Sequence, residues 1–155
     1  MNELTELHKH ILSGNVSEAL QIYHYTDFKT FYDSILFEAF EQSSICYYTF
    51  VSRLLIENES ILLHSLATEL LIQPLCHMEG AYFSALYHVR RSLELTSYQS
   101  IEDLEMLVFL SEVPDQVVSI EEATDAAYKI KALEPTNQIT KEFIEKNQET
   151  NENPT

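Results

Sequence analysis

The chain predicts an all-α fold of about eight helices packed as antiparallel pairs. Apolar residues recur at spacings of three and four nearly everywhere, while strict apolar–polar alternation over a strand's length is rare. Only two Gly and four Pro occur in 155 residues, too few for the Gly-rich turns of a hairpin protein. At this length a single domain buries roughly 68–70% of its unfolded surface, so neither disulfides nor metals are needed for stability. The sequence therefore reads as one helical domain over residues 1–146, followed by a polar tail, 147–155, expected to be disordered.

The elements follow in order. Leu4, Leu7 and Ile11 form a first short stripe that ends at Gly14, a residue suited to the left-handed position after a helix. A second helix spans about Asn15 to Tyr25. Asp27 caps a third, on which Phe28, Phe31, Tyr32, Ile35, Ala39 and Phe40 make an aromatic-rich face that must be core or interface. Ile45, Tyr48, Ser52, Leu55 and Ile56 define a fourth, ending near Glu57-Asn58. Ser60 opens a fifth, and the run from Ile61 to Ile72 is apolar almost all round, marking it as the most buried element; Pro74 stops it. A sixth helix covers about Met78 to Leu95. Ser100, with Asp103 three residues on, begins a seventh, and Ser119, with Glu122 three residues on, begins an eighth that ends before Pro135. Beyond Thr136 only Ile139, Phe143 and Ile144 are available to dock a last turn or two.

Three segments share a pattern of small residues. Gly14 is followed by Ala19, Gly80 by Ala85 at the same spacing, and the segment Glu121 to Pro135 supplies Ala123 and a terminal Pro. Ala19, Ala85 and Ala123 lie 66 and 38 residues apart, near two periods and one period of a repeat of roughly 34 residues. These segments resemble the second helix of a tetratricopeptide repeat. The resemblance implies a short right-handed solenoid of helix pairs with a concave binding face. The chain departs from that family at Ser97, where a Pro is usual, at Ala127, where an aromatic is usual, and in having no Trp. The stretch Pro74 to Tyr82 with the two later helices is also similar to small tetratricopeptide-like proteins of Gram-positive bacteria, a group associated with immunity proteins of polymorphic toxin systems. That likeness implies a cytoplasmic inhibitor of one cognate toxin domain.

Charge excludes other partners. Nine Lys and Arg stand against 25 Asp and Glu, a formal net charge of −16, which disfavours binding to nucleic-acid phosphates or an anionic membrane surface. From Ser92 to Tyr128 the sequence holds Glu94, Glu102, Asp103, Glu105, Glu112, Asp115, Glu121, Glu122 and Asp125 with no Lys or Arg among them. One reading is a set of solvated faces and acidic first turns. The other is a docking surface for a cationic protein, whose encounter rate such a field raises. The partner-binding candidates are thus Glu94, Glu102, Asp103, Glu105, Glu121, Glu122 and Asp125.

Tyr87 joins them because it lies off its helix's apolar stripe, as does Tyr47 on the fourth helix. His77 and His88 complete the set: eleven residues apart, they fall within roughly 20° of each other on a helix and are expected to face solvent or a partner together. A metal role is disfavoured because three turns, roughly 16 Å, separate them. Cys76-His77 has no oxyanion-hole glycines and faces apart on a helix, and no P-loop, dinucleotide fingerprint, Ser-His-Asp elbow or zinc ribbon occurs. Glu57 and Glu59 read as ordinary solvated carboxylates. The expected protein has no enzymatic role, no cofactor and no metal.

Cys46 and Cys76 suit a reducing compartment as free thiols, and the N-terminus lacks the basic and apolar regions of a signal peptide, so a cytoplasmic location is expected. No apolar run reaches the length of a membrane span. The expectation is a monomer or weak homodimer that neutralises a basic toxin domain by direct binding. The alternative is a helical-repeat adaptor holding a peptide or helix in its groove.

Overall fold

The computed structural model describes residues 2–152, with side chains described through residue 148, and among the described residues it holds nine helices and no strand. The chain divides into two compact units, Met1–His88 and Val89–Thr155, and the boundary falls inside one helix. The first unit contains α1 (Glu3–Leu12), α2 (Val16–Tyr25), α3 (Phe28–Gln42), α4 (Ile45–Glu57), α5 (Ile61–Ile72) and the first half of α6 (Ala81–Leu95). The second contains the rest of α6 with α7 (Ile101–Glu112), α8 (Ile120–Leu133) and α9 (Gln138–Glu152).

Local chemistry sets the boundaries. Asp27, Ser60, Ser100 and Ser119 each accept a hydrogen bond from the backbone N–H three residues on, at 3.0–3.2 Å, the N-cap arrangement that relieves one orphan donor per helix. Gly14, at φ +74°, closes α1 in a Schellman turn: its own N–H donates to Ile11 O and the Asn15 N–H to His10 O. The C-terminus of α6 uses the same turn, with Tyr98 N–H donating to Leu93 O and Ser97 N–H to Glu94 O. There Ser97 stands at φ +51°, a conformation that costs a non-glycine residue about 1 kcal/mol.

In the first unit α1 packs on α2, α3 and α4, and α5 packs on α3 and α4. Leu7, Phe31, Ile35, Tyr47, Leu66 and Leu70 are fully buried in its core. Tyr23 and Phe31 meet edge to face at 4.7 Å, and Phe31 meets Phe50 the same way at 6.2 Å, the preferred aromatic geometry. The aromatic face expected on the third helix is therefore core at Phe31, Ile35 and Ala39, while Phe40 is exposed. Seven of the twelve α5 residues are buried, as its all-round apolar sequence requires.

In the second unit α8 packs on α7 and α9, and Leu107, Leu110, Ala127, Ile130 and Phe143 are buried. Ala19, Ala85 and Ala123, the aligned small residues, are all fully buried. The polar segment expected to be a disordered tail is divided: 147–152 continue α9, and 153–155 lie outside the described residues. Asn137 caps that helix by accepting from the Thr140 N–H at 3.0 Å, and Phe143 and Thr140 anchor it in the interior. No helix of the described residues is long and apolar enough to cross a membrane.

Leu66→Ala should lower unfolding free energy by about 3 kcal/mol in urea titrations, because it empties a sealed site. Leu62→Ala, on the exposed side of the same helix, should change it by less than about 0.5 kcal/mol.

Candidate functional site

Three of the nine acids in the acidic segment of the second unit are ion-paired from within, and two more accept hydrogen bonds from neutral side chains. The chain supplies cations from either side of the acidic stretch: Arg90 Nη2 donates to both Glu122 carboxylate oxygens at 3.1 and 2.8 Å, Arg91 pairs with Glu94 at 2.7 Å and Lys146 with Glu112 at 2.7 Å. Asp103 accepts from the buried Ser92 hydroxyl at 2.7 Å, and Glu105 from Asn137 Nδ2 at 2.6 Å. The one-sign field expected over residues 92–128 is thus reduced at three points, by Arg91 within α6 and by Arg90 and Lys146 from 32 and 34 residues away. Asp103, Glu105 and Glu122 thereby link α7 to α6, α7 to the turn before α9, and α8 to α6, while the Glu94 pair stays within α6.

Two of the remaining acids lie together between α8 and α9. Glu121 and Asp125 are one turn apart on α8 and form no ion pair among the described residues. They rim a groove of about 650 Å³ whose wall also includes Ile120, Tyr128, Phe143 and Ile144. Ile120 and Tyr128 are each about half exposed. Two such carboxylates beside open apolar surface can hold a segment that carries both cationic and apolar side chains. Glu102 lies on the first turn of α7, outside this groove.

The first unit holds a different constellation. Glu59 Oε1 lies 3.0 Å from His64 Nε2, His64 Nδ1 lies 2.9 Å from His88 Nδ1, and His88 Nε2 lies 2.9 Å from the Tyr48 hydroxyl. Both imidazoles are almost fully buried. With both rings neutral, a carboxylate that accepts from His64 sets one direction of donation along the chain. His64 Nε2–H donates to Glu59, so neutral His64 presents its Nδ1 lone pair. His88 Nδ1–H donates to that lone pair, and Tyr48 O–H donates to His88 Nε2. Burial, and then the neighbouring His64, push His88 down to about 4, and burial raises the Tyr48 phenol above its ordinary value. The Tyr87 ring packs against both imidazoles, at 6.4 Å from His64 and 5.0 Å from His88.

These positions correct two expectations. His77 and His88 do not share an exposed helix face: α6 begins at Ala81, His77 sits in the preceding turn and is exposed, and His88 is buried. The stripe on its own helix cannot reveal that α4 and α5 supply partners to the opposite ring edges. Tyr47 is fully buried and has no protein partner for its hydroxyl, with burial pushing the phenol up to about 12 and the Glu38 carboxylate adding to it. It packs edge to face on His8 at 5.7 Å, whose basicity burial lowers. Tyr87 is exposed as expected, but in the first unit rather than at the acidic groove. Cys76 is exposed and also lies in the turn before α6.

Sequence reasoning missed Glu59, His64 and Tyr48 as a group. The available signal was His64 itself, a polar side chain on a helix apolar all round, which must find a buried partner. Among the described residues no cluster of three or more His, Cys, Asp or Glu is arranged to hold a metal ion. Neither protein-family models, curated proteins nor solved structures give a match to this chain.

Removing the two buried tyrosine hydroxyls should have opposite effects. Tyr48→Phe should lower unfolding free energy by about 1–2 kcal/mol, since it strips His88 Nε2 of its donor. Tyr47→Phe should leave stability unchanged or raise it by up to about 1 kcal/mol, since it discards a buried hydroxyl that bonds no protein group. Urea titration of both variants checks the contrast.

Proposed function

We propose that this chain is a non-enzymatic protein-binding module, and specifically an immunity protein that neutralises a cognate basic toxin domain by direct binding in the cytoplasm. The observation that carries the reading is the α8–α9 groove, where Glu121 and Asp125 form no ion pair among the described residues and lie beside Ile120 and Tyr128, while Glu94, Glu112 and Glu122 are paired internally. Carboxylates already held by Arg or Lys of the same chain contribute little to a partner, because their field is largely cancelled at short range. Unpaired ones steer a cationic surface into place and meet it on contact.

The net charge supports the same class of partner. The second unit carries 14 Asp and Glu against 6 Lys and Arg, a net −8, and the first carries 11 against 3, also −8. Both units repel phosphate backbones and attract basic protein surfaces at long range. The inhibitor would act by covering the toxin's active site or a surface it needs. A second reading, an adaptor for a helix or peptide, draws on the groove's apolar floor of Phe143 and Ile144, which fits one face of an amphipathic helix. The two differ in what is recognised: an inhibitor requires a folded domain, whereas an adaptor binds a short segment of it.

The test is co-expression with the product of the adjacent reading frame. Suppressed toxicity and a stable purified complex support the immunity reading; toxicity that continues while the protein is present at excess contradicts it. With that partner in hand, Glu121→Lys combined with Asp125→Lys should slow association by about tenfold or more at low salt. The same reversal at Glu94, already paired with Arg91, should change it by less than about threefold. Stopped-flow or surface-binding kinetics at two ionic strengths distinguishes them, and equal effects at the two sites would remove the groove from the interface.

A further inference from the structure

We propose that the Glu59–His64–His88–Tyr48 chain is an acid-sensitive latch that ties α4, α5 and the first half of α6 together in the first unit and opens when both imidazoles are asked to carry charge. The argument rests on geometry. Two imidazoles that meet Nδ1 to Nδ1 at 2.9 Å have room for one proton between them. One ring must donate and the other must accept. In the neutral chain the four ring nitrogens carry two protons, one on His64 Nε2 and one on His88 Nδ1.

A third proton fits at His88 Nε2, which then donates to the Tyr48 oxygen while the Tyr48 hydroxyl turns away. A fourth cannot enter: it would set two N–H groups against each other at a distance where only a hydrogen bond is stable. The closed latch therefore holds at most one positive charge, while two separate histidines in the unfolded chain each take up a proton below about pH 6.5. Protonation equilibria must then favour opening as the pH falls.

The groups around the pair do not relieve this limit. Glu59, in the turn before α5, meets the imidazole pair at the far nitrogen of His64. Tyr48 from α4 and Tyr87 from α6 are neutral phenols, and Arg53 on α4 is held by Glu57 at 2.8 Å. Burial disfavours even the first proton on His88, so the window runs from about 6.5, the unfolded value, down to about 4. Above it both states are neutral and the latch adds no pH dependence. Through it stability falls with falling pH, and below it the decline continues at the one proton that the closed latch excludes.

The full chain tests this. In the wild-type protein near neutral pH, nitrogen-15 spectra of the imidazoles should show a scalar coupling between the two Nδ1 atoms, and titration toward about pH 4 should add no more than one proton to the folded pair. Between about pH 7.5 and pH 5 the folding equilibrium constant, from urea titrations, should fall by at least about 30-fold through this pair alone, the contribution of the one excluded proton. The variant His64→Phe with His88→Phe should lose that part of the decline and keep whatever His8 and the remaining groups contribute. Equal declines in wild type and variant would overturn the proposal. If the variant fails to fold, the wild-type spectra decide: two imidazoles that titrate independently near 6.5, with no coupling between them, refute the latch, and a coupled pair that refuses the second proton establishes it.

Discussion

A polar group placed beneath apolar helices has to find its partner inside the protein, and that requirement shapes the interior of this chain more than any other. In the first unit it begins with His64. α5 is apolar around its whole circumference, so the one imidazole in it cannot reach bulk water and must be satisfied by groups that the fold brings to it. Glu59 meets one nitrogen from the turn that precedes the helix, and His88 meets the other from α6. His88 then needs a donor of its own, and Tyr48 supplies it from α4. Each link is obligatory because the one before it exists, and with both rings neutral the carboxylate at one end sets one direction for all of them. In a low-dielectric interior such a chain is strong when complete and costly when a single member is missing.

The same requirement sorts the acidic residues of the second unit. A carboxylate near the interior is drawn to whatever donor or cation lies within reach. Ser92, Asn137, Arg90, Arg91 and Lys146 each claim one. Among the side chains left over, Glu121 and Asp125 lie together at the α8–α9 groove beside open apolar surface. Abundance of acid in the sequence is therefore a poor guide to a binding surface. Pairing decides which charges still act at a distance, and here it narrows seven candidate carboxylates to Glu102, Glu121 and Asp125, of which the last two share the groove.

Much of the fold was readable because its determinants are local. An N-cap serine and the N–H it accepts from are three residues apart, so Asp27, Ser60, Ser100 and Ser119 announced four helix starts. Gly14 announced a stop, and the limits of α5 came directly from its run of apolar residues. Ala19, Ala85 and Ala123 were legible as a spacing of small residues, and the structure buries all three. The ninth helix was underestimated because few apolar residues mark it. Its support comes from the Asn137 cap, the burial of Phe143 and the pairing of Lys146 with Glu112, of which only the cap is local. The histidine chain joins residues 24 and 40 positions apart, and Tyr47 lies off its helix's stripe yet is enclosed by α1. Such facts are tertiary, and helical spacing alone cannot deliver them.

The central claim is that this protein works by holding a basic partner against the α8–α9 groove. Hydrogen–deuterium exchange of the full chain, with and without the purified product of the adjacent reading frame, tests it most directly. The account predicts slowed exchange on complex formation in α8 and in the first half of α9. Complex formation that leaves those two helices unchanged while protecting only residues of the first unit would contradict it.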